Sequence, residues 1–213
     1  MKTIDKKAYL KIIEHYNNKI NIYGLTTKGL DWKSKKDNNK RFLKIYNQIK
    51  FNYQKKVSIF DFGCGLSDLF IFLKRKKLNF SYEGIDTSKK AINFCKKKFK
   101  KNKYYCLDIL QKKIKLKKYD VIILNGIFTI KSSLSDKEMY LYIFTLLKKL
   151  KKLSKGIFIM NFLTSFPDWK NKKNFYPDII KIIKFVEKNV TKDYTFSSNS
   201  DLHENILVLN LKN

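Results

Sequence analysis

Apolar residues change their spacing near residue 57 of this 213-residue chain. Upstream, Tyr9, Ile12, Ile13, Tyr16 and Ile20 recur every three or four positions, behind an Asp5 that can cap a helix start. Phe42, Ile45, Tyr46 and Ile49 repeat that period, so two amphipathic helices are predicted in the first fifty residues. The stretch from Tyr23 to Trp32 separates them. It carries two glycines and two large aromatics and reads as an irregular loop.

From Val57 onward, short apolar runs alternate with helical patterns, which predicts βαβ units and a mostly parallel sheet. Val57–Phe62 is the first run and ends at Gly63-Cys64-Gly65, before an apolar helix through Leu69 and Leu73. Phe80–Ile85 closes at Asp86, and Thr87 or Ser88 then caps a helix that buries Ala91, Ile92, Cys95 and Phe99. Tyr104–Leu107, ending at Asp108, and Tyr119–Leu124, ending at Asn125-Gly126, are the third and fourth strands. Ser135 and Glu138 have the spacing of a capping box that opens a helix to about Leu153. Gly156–Leu163 is a fifth strand, and Pro177 suits the first turn of a helix carrying Ile179, Ile180, Ile182, Ile183 and Val186. Val190–Phe196 and Glu204–Leu211 close the sheet as a pair, giving an α/β class with seven strands.

Composition fits one packed domain, or one domain with a small N-terminal extension: 44% of residues are hydrophobic, with seven glycines and two prolines. The longest apolar runs, Met139–Leu147 and Gly156–Leu163, are about nine residues, against the ~18 that a membrane-spanning helix needs. The charged N-terminus has no apolar segment behind it, so no signal peptide is expected and the expected compartment is cytoplasmic. Cys64, Cys95 and Cys106 form no C-x-x-C pair, and His15 and His203 lie far apart in sequence. No metal site is expected, and the three thiols are expected to be reduced.

A net charge of +29, from 47 basic and 18 acidic residues, first suggests nucleic acid or an anionic surface as partner. Only Arg41 and Arg75 among those basic residues are arginines, and Lys, Asn, Ile, Phe and Tyr make up 119 of the 213 residues. All five have codons built from A and T alone, so the charge is read as coding bias. A nucleic-acid reader would keep arginine for bidentate contacts. The densest runs, Lys96–Lys103 and Lys148–Lys152, read as solvated helix faces.

The chemistry lies in three carboxylates at the ends of successive strands, Asp61, Asp86 and Asp108. Ligands of an open α/β sheet bind outside the carboxyl ends of its strands. Gly63 and Gly65 permit a tight turn that a ligand can approach closely. An acidic residue about 20 positions further on can take both ribose hydroxyls, and Asp86 follows Gly65 by 21 residues. A nucleoside-containing cofactor is implied. A dinucleotide would set its pyrophosphate on this turn, yet Asp61 precedes the glycines and Asp68 takes the sixth position of the glycine pattern. Carboxylates beside a dianion disfavour NAD. S-adenosylmethionine has no phosphate, and its amino group and sulfonium are cations that carboxylates attract.

Asp61-Phe62-Gly63-Cys64-Gly65-Leu66-Ser67 resembles the first motif of the class I S-adenosylmethionine-dependent methyltransferases, acidic-x-Gly-x-Gly-x-Gly, with Ser67 replacing the last glycine. With Asp86 and Asp108 at matching strand ends, the resemblance covers roughly residues 35–211. It implies a Rossmann-like, mostly parallel seven-stranded sheet with an antiparallel closing strand and helices on both faces. Residues 1–50 would be a helical N-terminal lid on a methyltransferase domain of residues 51–213. By that resemblance, Asp61 and the Gly63-Cys64-Gly65 backbone hold the methionine end of the cofactor, and Asp86 holds the ribose with Thr87 beside it. Asp108 meets the adenine amino group, Ile109 the ring, and Asn125 sits beside the methyl group.

Tyr23-Gly24, Trp32, Arg41-Phe42, Asn125-Gly126-Ile127-Phe128 and the loop from Phe166 to Pro177 are also similar to small stand-alone bacterial methyltransferases, some tied to polysaccharide loci. Asn125, Phe128, Tyr23, Trp32 and Arg41 are therefore candidates near the transferred methyl, with no catalytic residue assigned. Trp32 and Trp169 also read as packing aromatics. Arg41 reads either as a structural partner of a carboxylate or as a planar fork for a substrate carboxylate or phosphate. A hydroxyl or amine acceptor needs a base, for which His203, His15, Tyr23 and Asp168 are candidates. The expected acceptor is a small molecule or glycan precursor. An RNA or protein acceptor is the alternative, supported by the charge alone, and Asn125-Gly126-Ile127-Phe128 lacks the prolines of an N-P-P-Y type motif. A noncatalytic basic nucleic-acid binder on the same fold is a third reading.

Overall fold

The computed structural model describes residues 4–111, 115–164 and 170–212. Helix α1 (Lys6–Tyr23) begins at Asp5, whose carboxylate accepts the Lys7 N–H at 2.9 Å, and α2 (Lys35–Asn52) begins at Ser34. The alternation then runs β1 (Val57–Phe62), α3 (Asp68–Arg75), β2 (Phe80–Asp86), α4 (Lys89–Lys98), β3 (Lys103–Cys106) and β4 (Tyr119–Leu124). After α5 (Asp136–Lys151), opened by the Ser135–Glu138 capping box, come β5 (Ser154–Leu163), α6 (Ile179–Asn189), β6 (Tyr194–Asn199) and β7 (Glu204–Asn210).

The strands form one sheet in the order β3-β2-β1-β4-β5-β7-β6, parallel except that β7 runs antiparallel to both β5 and β6. Strand order reverses between β1 and β4, and a crevice opens at their carboxyl ends. Both faces of the sheet are covered. On one side Tyr9 and Ile12 of α1, Leu147 of α5 and Val186 of α6 pack on Phe60, Ile122 and Phe158. On the other, Phe42 and Ile49 of α2, Leu73 of α3 and Ile92 of α4 pack on Ile59, Val121 and Ile123. Burial on two sides explains why β4 reads as the unbroken apolar run Val121-Ile122-Ile123-Leu124 rather than an alternating one. The two N-terminal helices are divided between these layers, one on each face of the sheet.

Several boundaries differ from expectation, among them the start of β5, which is Ser154 rather than Gly156. Val190 does not begin a strand, because its N–H still bonds the Val186 carbonyl at 2.7 Å and closes α6, so β6 starts at Tyr194. Pro177 lies ahead of the first turn of α6, since the Asp178 carboxylate is the cap, accepting the Ile180 N–H at 3.0 Å. The third strand sits one residue earlier, at Lys103–Cys106. Phe166, Pro167, Asp168 and Trp169 lie outside the described residues. Among the described residues, no helix is long and apolar enough to cross a membrane.

Candidate active site

A cavity of about 400 Å³ opens at the carboxyl ends of β1, β2, β3 and β4, roofed by α1 and by the loop that holds Trp32. Its floor is the turn after β1. Gly63 and Gly65 take φ values of 75° and 51°, which a residue with a Cβ adopts only under strain. At Gly63 a Cβ would also lie 2.1 Å from Ile127 Cδ1. The Gly63 and Cys64 N–H groups bond the Ile85 carbonyl at 2.8 and 3.0 Å, pinning the turn to β2.

The three strand-end carboxylates converge on this floor. Asp86 accepts the Gly65 N–H on one oxygen at 3.0 Å and the Ser88 N–H on the other at 2.8 Å, so it ties the glycine turn to the start of α4. Burial raises its carboxyl above the ordinary aspartate range, against the pull of those backbone N–H groups. Asp61 is only 4% exposed and accepts a hydrogen bond from the Tyr82 hydroxyl. Burial, with the Asp86 charge adding to it and the Tyr82 bond opposing, pushes its carboxyl up to about 7. Asp108 accepts the Leu110 N–H and the Tyr9 hydroxyl of α1 on its two oxygens, at 2.8 and 2.7 Å.

The far end of the cavity is built differently. The Trp32 indole lies on Gly126, where a Cβ would stand 2.4 Å from its Cη2. The Arg41 guanidinium lies over the indole, 4.9 Å from the ring centre. Arg41 Nε donates to both oxygens of Glu204, at 2.8 and 3.0 Å, while Nη1 donates to Asn38 at 3.1 Å. Asn161 closes the ring: its amide donates to Glu204 at 2.8 Å, and its oxygen accepts the Gly126 N–H at 2.7 Å. Trp32, Arg41, Glu204, Asn161 and Gly126 thus hold one another, across α2, β5, β7 and the turn after β4.

All nine candidates for the cofactor, Asp61, Gly63, Cys64, Gly65, Asp86, Thr87, Asp108, Ile109 and Asn125, line this cavity. Trp32 and Arg41 line it as well, but the Arg41 fork is consumed by Glu204 and is not free for a substrate anion. Phe128 and Tyr23 are absent from the lining. Phe128 is fully buried and stacks on Phe162 at 5.2 Å, because Ile127, one residue earlier, is the side chain facing the cavity. Tyr23, at the end of α1, is exposed and sits under the Lys28 ammonium at 4.1 Å. Of the candidate bases, His203 lines the cavity at a φ of 50°, and its carbonyl accepts the Thr164 N–H at 2.8 Å. His15 lies behind the wall, 2.6 Å from Asp31, and Asp168 is outside the described residues.

Sequence reasoning missed Tyr9, Asn161 and Glu204. A polar side chain inside the apolar run Ile159-Met160-Asn161-Phe162 was the signal available, since a buried amide must find partners. The lining also inverts the charge of the chain. Among the described residues it holds eight carboxylates, Asp31, Asp37, Asp61, Asp68, Asp86, Asp108, Asp201 and Glu204, against the cations Lys33 and Arg41. A site for a pyrophosphate would need the opposite balance, whereas a glycine cradle ringed by carboxylates suits a phosphate-free nucleoside that carries a positive charge.

Residues 53–199 match the family described as a methyltransferase domain. Among solved structures, the magnesium protoporphyrin IX methyltransferase from Synechocystis PCC 6803, with bound S-adenosylmethionine, superposes with a TM-score of 0.60 at 17% identity, over 81% of this chain and 79% of that one. An S-adenosylmethionine-dependent methyltransferase from Clostridium acetobutylicum ATCC 824 gives 0.58 at 13% identity, over 96% and 99% of the two chains. The methyltransferase domain of a citrinin polyketide synthase gives 0.59 at 10%, over 81% and 52%. Among curated proteins none matches the sequence.

Proposed function

The chain belongs to the methyltransferase-domain family, and from that premise we propose that it is an S-adenosylmethionine-dependent enzyme that methylates an uncharged or cationic small molecule. Asp61 would pair with the cofactor's amino group, Asp86 would accept the ribose hydroxyls, and Asp108 with Ile109 would take the adenine. When bound, S-adenosylmethionine supplies an electrophilic methyl on a sulfonium. The chain then needs to align an acceptor with that methyl and exclude water, a task of positioning rather than covalent catalysis. Trp32, Ile127 and the Asn125-Gly126 turn form the walls suited to that alignment, and His203 is the candidate to take a proton from a hydroxyl or amine.

One observation carries the choice of acceptor class: in a chain of net charge +29 the cavity is lined by eight carboxylates and two cations, and with Asp31, Asp201 and Glu204 paired to Lys19, Lys40 and Arg41, five carboxylates still stand against Lys33. Polyanions are attracted to the outer surface and repelled from the cavity. A glycan precursor fits this reading where a sugar, rather than its phosphate, enters. The test is twofold. Calorimetric titration of S-adenosylmethionine and S-adenosylhomocysteine should give micromolar binding. Incubation with methyl-labelled cofactor and a fractionated cell extract should place label in the low-molecular-weight fraction; label in RNA or protein would overturn the acceptor class, and absence of cofactor binding would overturn the whole reading.

A further inference from the structure

The carboxylate assigned to the adenine is held by a side chain from outside the sheet. Asp108 follows β3, and one of its oxygens is fixed locally by the Leu110 N–H. Its other oxygen takes the hydroxyl of Tyr9, 99 residues earlier on α1. That hydroxyl has its own partner: the Gln111 amide donates to it at 2.8 Å. A phenol carries one proton, so with its oxygen accepting from Gln111 the proton must go to Asp108. Tyr9 is 4% exposed and its ring stacks on Tyr142 with centroids 5.9 Å apart, which leaves the hydroxyl little room to turn away. Burial, then the bond to Asp108, raises the phenol to about 12, so it stays a donor over the physiological range.

The consequence concerns what Asp108 can recognise. With Leu110 and Tyr9 both donating to it, the carboxylate is fixed in place as an acceptor, and the lone pairs left over can only accept again. We infer that Tyr9 is a positioning residue that holds Asp108 as an acceptor-only reader of the nucleoside base, selecting a 6-amino purine over a 6-oxo purine. An exocyclic amino group would complete the set of donors around Asp108. A carbonyl at the same place would set oxygen against carboxylate. The inference rests on the cofactor reading above and adds that α1, a helix outside the residues 53–199 that match the family, takes part in base selection.

The test compares S-adenosylhomocysteine with S-inosylhomocysteine, whose base carries an oxygen at C6 and a proton on N1 where adenine has an amino group and a lone pair, by calorimetric titration into wild type, Tyr9→Phe and Gln111→Met, with thermal melts alongside. Wild type should prefer the adenosyl ligand by about tenfold or more, the worth of one charge-assisted hydrogen bond. Tyr9→Phe should weaken the adenosyl ligand by roughly five- to tenfold and the inosyl ligand by much less, so that the preference narrows. Gln111→Met, on an exposed side chain, keeps the phenol but frees its proton to rotate and should narrow the preference to a smaller extent; it carries the test if Tyr9→Phe melts early. Equal weakening of both ligands in Tyr9→Phe would make the contact merely structural and overturn the inference. Equal binding of both ligands by wild type would do the same while leaving the cofactor reading intact. Binding of neither ligand would remove that reading first.

Discussion

The two ends of the cavity are built on different principles. At the proposed cofactor end, carboxylates stand at consecutive strand ends and most of their contacts are short in sequence: Asp86 takes the Ser88 and Gly65 N–H groups two and twenty-one residues away, Asp61 the Tyr82 hydroxyl twenty-one away, and Asp108 the Leu110 N–H, with Tyr9 as the one distant donor. At the proposed acceptor end, a ring of side chains closes on itself across the chain, with Arg41 reaching Glu204 over 163 residues and Gly126 reaching Asn161 over 35. Neighbouring strand–turn–helix units fix most of the first kind of site, with Tyr9 of α1 added from outside them. The second exists only once the sheet is assembled, so it can change its occupant without disturbing the cofactor, and it fails as a unit.

That contrast predicts which variants separate the two ends. The largest effect is expected for Glu204→Ala. It strands the Arg41 guanidinium, whose side chain is 13% exposed, without its carboxylate, and deprives Asn161 of a partner. Breaking one side of a buried, hydrogen-bonded ion pair costs roughly 3–5 kcal/mol, to be read from urea unfolding. Affinity for S-adenosylhomocysteine in the variant that remains folded should stay within about twofold, as expected for a group with no shared partner in the cofactor end. A loss of cofactor affinity comparable to that of Asp86→Ala would break the division between the ends.

Asp86→Ala should do the reverse. It removes the acceptor for the Gly65 and Ser88 N–H groups together with the proposed partner of the ribose. Two hydrogen bonds to a charged group make a loss of about a hundredfold in cofactor affinity the expected result, with a smaller change in melting temperature. Calorimetry against a thermal melt separates the two quantities. Unchanged affinity would remove the ribose assignment.

The same contrast explains what the sequence made legible. Val57–Phe62, the glycine turn, Asp86 and Asp108 follow from local periodicity and spacing, because the physics that places them acts over a few residues. Phe128 and Tyr23 follow from position in a motif, and position alone does not say which way a side chain faces. At the Asn125–Phe128 turn a shift of one residue exchanges cavity for core, so Ile127 takes the place expected for Phe128. Arg41 illustrates a different limit. Its rarity in a lysine-rich chain marked it as a planar fork, but only assembly shows that the carboxylate it grips is the chain's own Glu204. Tyr9 lies on the apolar face that its period predicts, and an apolar period carries no information about where the hydroxyl points.

The protonation of Asp61 sharpens the comparison further, because it should tune the cofactor end alone. Folded, this carboxyl holds its proton up to about 7, whereas an unfolded aspartate releases it near 3.9, roughly. Between those values the folded chain binds the extra proton. The group's contribution to the stability of the ligand-free protein is therefore complete below about pH 4 and is lost as the pH rises through about 7. On the proposed pairing, cofactor affinity runs in the opposite sense, since the cationic amino group would gain its partner only when Asp61 ionises. Affinity for S-adenosylmethionine should rise about tenfold from about pH 6 to about pH 8, and Asp61→Asn should flatten that rise. An identical slope in the variant would assign the titration to another group.

The smallest expected effect is that of Tyr82→Phe, and it tests the same carboxylate from behind. The Tyr82 hydroxyl donates to Asp61 from β2 and is the one contact that lowers its carboxyl against burial and the Asp86 charge. Without that donor the ionised form loses support, and the midpoint of the affinity profile should move up by about half a unit to one unit. Well above the new midpoint the affinity returns nearly to the wild-type value, because Asp61 is then ionised in both proteins. A ring kept in place and a hydroxyl removed makes this a change of proton affinity rather than of shape. An upward shift with the plateau preserved identifies Asp61 as the titrating group. A lowered plateau with no shift would instead mean that the Tyr82 hydroxyl positions Asp61 rather than tuning its proton affinity, and that this end of the cavity, like the other, depends on contacts made across the sheet.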